Sequence, residues 1–154
     1  KTKLSIIKSV IKSNEKRKFL LTKRVGKILN NKIKNKKITF LGVTFKANTD
    51  DMRESSSLVL IPYLIKKGAI VKYYDPSGQK KEFKNGKNLQ FVNTLNKACL
   101  KSDLIIINTE WDEFKSVDFR RIVKKNNFIV YDMRNLYNPK EMKKKNIKYF
   151  SIGR

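Results

Sequence analysis

Hydrophobic positions near the start of the chain recur at helical spacing over residues 3–31. The stripe runs through Leu4, Ile7, Ile11, Lys18, Leu21, Val25 and Ile28, and Val10 and Leu29 widen it. Positions three and four residues apart share one helix face, so the pattern predicts a single helix of about 43 Å. Such a helix is long for a small domain. It either lies across its own domain or packs against something outside the chain.

After residue 36 the pattern changes to short apolar runs separated by amphipathic segments. The runs predict strands over residues 37–42, 69–76, 89–92, 103–108, 127–132 and 147–150, and the segments predict helices over 55–67, 95–100, 117–125 and 140–145. Pro62 lies inside the first of these helices, which either starts near Pro62 or is kinked there. Strands that alternate with helices predict an α/β fold with a doubly wound parallel sheet, preceded by the long helix.

Four polar segments follow predicted strand ends and therefore share one edge of the sheet, where ligands of such folds bind. These segments are residues 42–54, 75–76, 108–112 and 132–135. The first places Lys46 and Arg53 before a helix start, whose free N–H groups and partial positive charge favour anions. We therefore expect a diphosphate site there, although no standard glycine-rich phosphate loop is present. The alternative is that Arg53 pairs with a neighbouring carboxylate and only orders the loop.

The charge balance suggests a second class of function. The 154 residues include 30 Lys and 7 Arg against 13 acidic residues, a formal net charge of +24. A nucleic-acid-binding module is one interpretation. However, Lys is spread along the whole chain, Arg is scarce, and 15 Asn and 16 Ile indicate compositional drift. We expect most of the charge to cause only weak, salt-dependent binding to polyanions.

Several kinds of site are excluded by residue type. One Cys and no His leave no internal disulfide, no Cys/His zinc site and no Ser-His-Asp or Cys-His centre. Cys99 is expected to be buried and inert, Trp111 to pack structurally, and Asp50 and Asp51 to bond within their loop. Neither a membrane-spanning apolar run nor a signal-peptide pattern is present, so we expect a cytoplasmic location. The first residue is Lys1 and not Met, which fits a piece of a longer reading frame or numbering after processing.

Four motifs in order resemble the UDP-glucose/GDP-mannose dehydrogenase family. Segment 42–55, Gly-Val-Thr-Phe-Lys-Ala-Asn-Thr-Asp-Asp-Met-Arg-Glu-Ser, is similar to the family's signature loop. Tyr-Asp-Pro at 74–76, Asn-Thr-Glu-Trp-Asp-Glu-Phe at 108–114 and Asp-Met-Arg-Asn at 132–135 follow in the family's order. Residues 14–25 resemble the end of its central helix. The resemblance spans nearly the whole chain and is good for the branch that oxidises UDP-glucose.

The resemblance implies a place for this chain within a three-part enzyme. An N-terminal Rossmann domain binds NAD, a central helix joins the domains and builds the dimer, and a C-terminal Rossmann-like domain binds the nucleotide of the sugar nucleotide. Residues 1–33 resemble the end of the central helix, and residues 34–154 resemble the UDP-sugar-binding Rossmann-like domain. The expected partners are a UDP-sugar and, through helix 3–31, a second copy or a separately encoded N-terminal half.

The resemblance also implies roles for individual residues. Phe45, Lys46 and Arg134 match residues that contact the UDP-sugar, and Arg53 matches one that reaches toward NAD. Met133 departs from a common Gly before this arginine. The family's Gly-Gly-Ser-Cys motif, which supplies the nucleophile, and the G-x-G-x-x-G cofactor loop are both absent. We therefore expect no catalytic residue, no metal site and no turnover by this chain alone. A remnant of a broken gene is the remaining alternative.

Overall fold

The computed structural model describes residues 5–153, with side chains at residue 10 and residues 12–153. Of the predicted stripe, Leu4 lies outside the described residues, and Ile7 and Ile11 are described for their backbone alone. The helices are α1 Ser5–Ile28, α2 Ser57–Lys66, α3 Leu95–Cys99, α4 Phe119–Val123 and α5 Pro139–Lys144, with a short 3₁₀ turn over Asp112–Phe114. The strands are β1 Lys37–Leu41, β2 Ile70–Tyr74, β3 Leu89–Phe91, β4 Leu104–Ile107, β5 Ile129–Asp132 and β6 Lys148–Ser151.

The six strands form one parallel sheet in the order β3-β2-β1-β4-β5-β6. This order is that of a doubly wound Rossmann-like sheet, and it confirms the predicted α/β fold class. The order reverses between β1 and β4, which are hydrogen-bonded neighbours. The crevice outside the carboxyl ends of these two strands is the usual ligand position in such sheets. We call this side of the sheet the carboxyl edge.

Both faces of the sheet are buried, because helices cover each of them. On one face, Ile38 and Phe40 of β1 pack with residues of α1 and α2. On the other face, Leu41 packs with residues of α3, α4 and α5. All four residues of β4 are buried, as its uninterrupted apolar run predicts for a central strand.

Helix α1 is a single long helix, but it ends at Ile28 and not at residue 31. Asn30 and Asn31 have φ values of 51° and 58°, a left-handed conformation that asparagine tolerates and that stops the helix. The last turns are buried against the sheet, whereas Phe19 and Leu20 are about half exposed. Within residues 5–153, no helix combines the length and the apolar composition that crossing a membrane requires.

Helices α2 and α4 are shorter than predicted. Helix α2 begins at Ser57 and keeps Pro62 in its interior. The helix predicted over 117–125 is only Phe119–Val123, because the side chain of Asp118 caps it and Lys124 adopts a left-handed φ of 49° that ends it.

Candidate functional site at the carboxyl edge

The loop 42–56 between β1 and α2 is closed at its base by side-chain hydrogen bonds. The backbone amides of Val43 and Thr44 donate to the carboxylate of Asp75 at 2.7 and 3.3 Å. The hydroxyls of Ser55 and Ser57 each donate to the carbonyl of Val43 at 2.6 Å. These contacts bring the two ends of the loop together, so residues 45–51 project from the carboxyl edge.

The amino end of α2 is not a free anion site, and that part of the sequence-based expectation is wrong. The Ser57 amide donates to the hydroxyl of Ser55 at 3.3 Å. The amides of Leu58 and Val59 donate to the carbonyls of Ser55 and Ser56 at 3.3 and 3.1 Å. Because the loop itself uses these first-turn donors, a phosphate group gains little from the helix end.

Arg134, which follows β5, contacts two other segments of the carboxyl edge. Its Nε donates to the carbonyl of Asn108 at 2.7 Å, and its Nη2 donates to the carbonyl of Phe45 at 3.0 Å. The Oε2 atom of Glu110 lies 2.9 Å from the same Nε. The guanidinium therefore joins the ends of β1, β4 and β5, as the predicted clustering of these segments requires.

A cavity of about 360 Å³ lies between α1 and this cluster. Two predicted site residues, Phe45 and Arg134, line it together, and Phe45 is 48 % exposed. The rest of its lining is Asn14, Arg17, Lys18, Leu21, Glu54, Ser56, Met133 and Ile152. Three cations against one carboxylate make the lining positive, which suits an anionic ligand. We call this space the α1 cavity.

Arg53 lines a different cavity, of about 490 Å³, on the side of Asp50, Asp51 and Lys81. Its guanidinium is 89 % exposed and holds the Asp51 carboxylate at 2.9 Å. Hydrogen bonds from the Arg53 side chain and backbone lower the pKa of Asp51 to about 2. The pairing that the sequence left as an alternative for Arg53 is therefore present, and it orders this part of the loop.

Lys46 is exposed on the loop, and its positive charge adds to the lowering of the Asp51 pKa. The structure thus brings Phe45 and Arg134 together and directs Arg53 elsewhere. Sequence reasoning missed Arg17 and Glu110 as parts of the site. Glu110 stands inside the recognised motif at 108–114, whereas nothing in the pattern of α1 singles out Arg17.

Two other residues that the sequence singled out, Cys99 and Trp111, pack in the core. Cys99 is fully buried, which confirms the predicted burial, and desolvation raises the pKa of its thiol to about 12, as an unreactive cysteine requires. Trp111 is half-buried and packs against the core on the α3–α5 face, as predicted. In the part of the chain that the structure describes, no group of three His, Cys, Asp or Glu side chains is arranged to hold a metal ion.

Comparison with known proteins gives one consistent result. Residues 39–139 match a family model described as the UDP-glucose/GDP-mannose dehydrogenase family, UDP binding domain. The chain is 38 % identical over 151 residues to a UDP-glucose 6-dehydrogenase of Rickettsia felis, a match that covers 96 % of this chain and 34 % of the relative. It is 35 % identical over 155 residues to the enzyme of that name from Rhizobium meliloti, covering 99 % of this chain and 35 % of the relative.

Among solved structures, a UDP-glucose dehydrogenase from Pyrobaculum islandicum superposes with a TM-score of 0.72 at 26 % identity, covering 93 % of this chain and 31 % of that one. The chain thus spans about a third of the length of the relatives it matches.

Proposed function

The chain belongs to the UDP-glucose/GDP-mannose dehydrogenase family and contains its UDP-binding domain, and we propose that this domain holds the UDP part of a UDP-sugar at the carboxyl edge. In the whole enzyme, the bound substrate is UDP-glucose, whose C6 hydroxyl is oxidised to a carboxylate with two NAD. This chain supplies the binding and orientation of the nucleotide. The residues that match the family's substrate contacts are Phe45, Lys46 and Arg134.

The observation that carries the proposal is the α1 cavity. It lies at the carboxyl edge, between α1, the loop after β1 and the ends of β5 and β6, on the side of the sheet where doubly wound folds bind nucleotides, and two of the three proposed substrate residues line it. Its volume lies within the range of ligand sites, about 300–1,000 Å³. The positive lining complements a diphosphate, and the exposed ring of Phe45 offers an apolar surface to a base.

The two loop cations have different proposed roles. Lys46 neutralises the substrate, because an exposed ammonium beside Phe45 can follow the phosphates as a mobile point charge. Arg53 lines the other cavity, beside Asp51, and we assign it to the NAD phosphates as in the family. Its high exposure leaves the guanidinium accessible to a ligand that another domain holds.

A dinucleotide bound at the β1–α2 turn does not fit the described residues. A Cβ on Gly42 would meet Thr109 at 2.5 Å, so the side chain of Thr109 fills the space beside this glycine. The first-turn amides of α2 are also occupied. The main NAD site therefore belongs elsewhere in the enzyme, and Arg53 is this chain's one proposed contact.

Domain roles follow the same division. We propose that residues 1–33 are the end of the central helix and that residues 34–154 form the UDP-sugar-binding domain. The half-exposed Val10, Phe19 and Leu20 of α1 support a contact with a second copy or with an N-terminal half of the enzyme. The proposed location is the cytoplasm.

Calorimetric titration with UDP tests the proposal. We expect heat of binding at micromolar to millimolar UDP, and a loss of about tenfold or more in affinity for Lys46→Met, since a hydrogen bond to a charged group contributes about 1.5–3 kcal/mol. Lys87→Met, which removes one exposed lysine near the start of β3, is the matched control and should bind like the unaltered chain. Absence of binding at millimolar UDP, with the fold intact, would refute the assignment.

A second assay addresses activity. Cys99, the one cysteine of the chain, is buried and cannot serve as nucleophile, so mixing the chain with UDP-glucose and NAD should give no reduced cofactor. Turnover by this chain alone would contradict the assigned division of labour.

The competing nucleic-acid function rests on the net charge of +24. Binding to duplex DNA that survives about 0.2 M salt and depends on sequence would favour it, whereas a background charge gives weak binding that disappears at that salt concentration.

A further inference from the structure

The guanidinium of Arg134 donates hydrogen bonds to backbone carbonyls of the protein. Its Nε–H donates to the Asn108 carbonyl at 2.7 Å, and Nη2 donates to the Phe45 carbonyl at 3.0 Å, across 89 residues of sequence. A guanidinium carries five N–H donors in a fixed planar fork. Two directions of this fork are therefore committed to the backbone of the loops after β1 and β4.

The base of Arg134 is fixed by a buried carboxylate. Its amide donates to Oδ1 of Asp132 at 2.9 Å, and the side chain of Asp132 is fully buried. The other oxygen of Asp132 accepts hydrogen bonds from the Tyr137 amide at 3.1 Å and from the Tyr149 hydroxyl at 2.8 Å. The backbone of Arg134 is thus held at the end of β5. Its guanidinium therefore links this strand end to the loop after β1.

Glu110 supplies the matching charge. Its Oε2 lies 2.9 Å from Nε of Arg134 but makes no hydrogen bond with it, because the single Nε–H is directed at the Asn108 carbonyl. The interaction is therefore a close ion pair without a shared proton. Both side chains are partly exposed, at 33 % and 40 %, so solvent weakens the pair without removing it.

We propose that Glu110 and Arg134 are positioning residues that hold the carbonyl of Phe45, and with it the Phe45–Lys46 segment, in the shape that receives the nucleotide. The inference rests on the proposed UDP-binding function and deepens it. It makes Glu110 a new functional residue. It also makes the backbone of Phe45 the main route by which Arg134 affects binding, in place of a contact with phosphate.

The first test concerns the protein without ligand. Arg134→Lys keeps the charge, but a single ammonium cannot span both carbonyls. Hydrogen exchange measured by mass spectrometry should become about tenfold faster in peptides covering residues 43–54, as expected for one lost charged hydrogen bond, with the strands unchanged. Glu110→Gln should accelerate exchange in the same peptides by a smaller factor. Unchanged exchange in the loop in both variants overturns the proposal.

The second test compares ligands. If the two residues act through the loop, Arg134→Lys and Glu110→Gln both weaken uridine in NMR titrations, and they weaken UDP at least as much because the same loop carries Lys46. If Arg134 instead contacts the diphosphate, its replacement weakens UDP and leaves uridine unchanged, and the proposal is wrong. If the unaltered chain binds neither ligand, the proposed function fails, while the exchange experiment still decides whether the clamp exists.

Matched controls are present in the chain. Arg120 also donates to backbone carbonyls, those of Lys145, Asn126 and Asn146, but at the opposite edge of the sheet. Glu113 lies three residues after Glu110 and accepts a hydrogen bond from the Tyr74 hydroxyl. Arg120→Lys and Glu113→Gln should leave both the exchange of residues 43–54 and the ratio of UDP to uridine affinity unchanged. An equal effect of these controls would indicate a general loss of stability and would overturn the proposal.

Discussion

The backbone amide of Val43 donates a hydrogen bond to the buried carboxylate of Asp75 over 2.7 Å, which ties the end of β1 to the end of β2. The carboxylate also receives the amide of Thr44 and both donors of Ser77. The ammonium of Lys80, itself only 5 % exposed, lies 3.9 Å away. One side chain therefore sets where the loop 42–56 leaves the sheet.

Replacing this carboxylate should destabilise the fold. Asp75→Ala leaves several buried donors and the Lys80 charge unpaired, and we expect a loss of about 3–5 kcal/mol in the free energy of unfolding, measured by urea denaturation. Asp75→Asn, which keeps one acceptor oxygen, should lose less than Asp75→Ala. Equal stability of the alanine variant and the unaltered chain would contradict this role.

A side chain added at Gly42 should destabilise the fold. Its φ is +73°, and an added Cβ would lie 2.5 Å from Cβ of Thr109. Gly78 has a similar φ of +88° with nothing within 4 Å of an added Cβ, so it serves as the control for backbone strain alone. We expect Gly42→Ala to lower the free energy of unfolding, measured by urea denaturation, by about 1–3 kcal/mol more than Gly78→Ala, because the added Cβ overpacks against Thr109. Similar losses in the two variants would show that the loop accommodates the added Cβ without overpacking.

The Asp51–Arg53 pair predicts an acid-side titration. The pKa of Asp51 falls from its ordinary 3.8 to about 2, chiefly through the hydrogen bond from the Arg53 side chain. A depressed pKa means that the stabilising contribution is present above pH 3.8 and is lost as the pH falls toward 2. NMR titration of the Asp51 carboxyl should show this midpoint, and Arg53→Gln should raise it. Arg121→Gln, in α4, should not.

Cys99 should be chemically silent in the native protein. Burial raises the pKa of its thiol to about 12, so almost no thiolate forms near neutral pH. Ellman's reagent should react completely after denaturation but negligibly, over the same time, with the folded chain. Rapid stoichiometric labelling of the folded protein would show that the helix α3 opens readily.

The sequence predicted most of the architecture, because strand and helix periods are local properties. The continuous apolar run of β4 identified the central strand, and the alternation of elements identified the parallel sheet. Helix ends were predicted less well. The end of α4 depends on the left-handed backbone of Lys124, a conformation that a lysine in the sequence does not predict.

The sequence by itself determined the fold class, the family, the buried cysteine and the gathering of four polar segments at one edge, since each follows from local pattern or motif order. Only the tertiary structure decided how that edge is arranged. It separated Phe45 from Arg53 into two cavities, closed the amino end of α2 with its own serines, and placed Arg17 of α1 and Arg134 in the lining of one cavity. It also joined Arg134 to a carbonyl 89 residues away. Such contacts depend on strand register and on the direction of each side chain, which arise only when distant segments pack together.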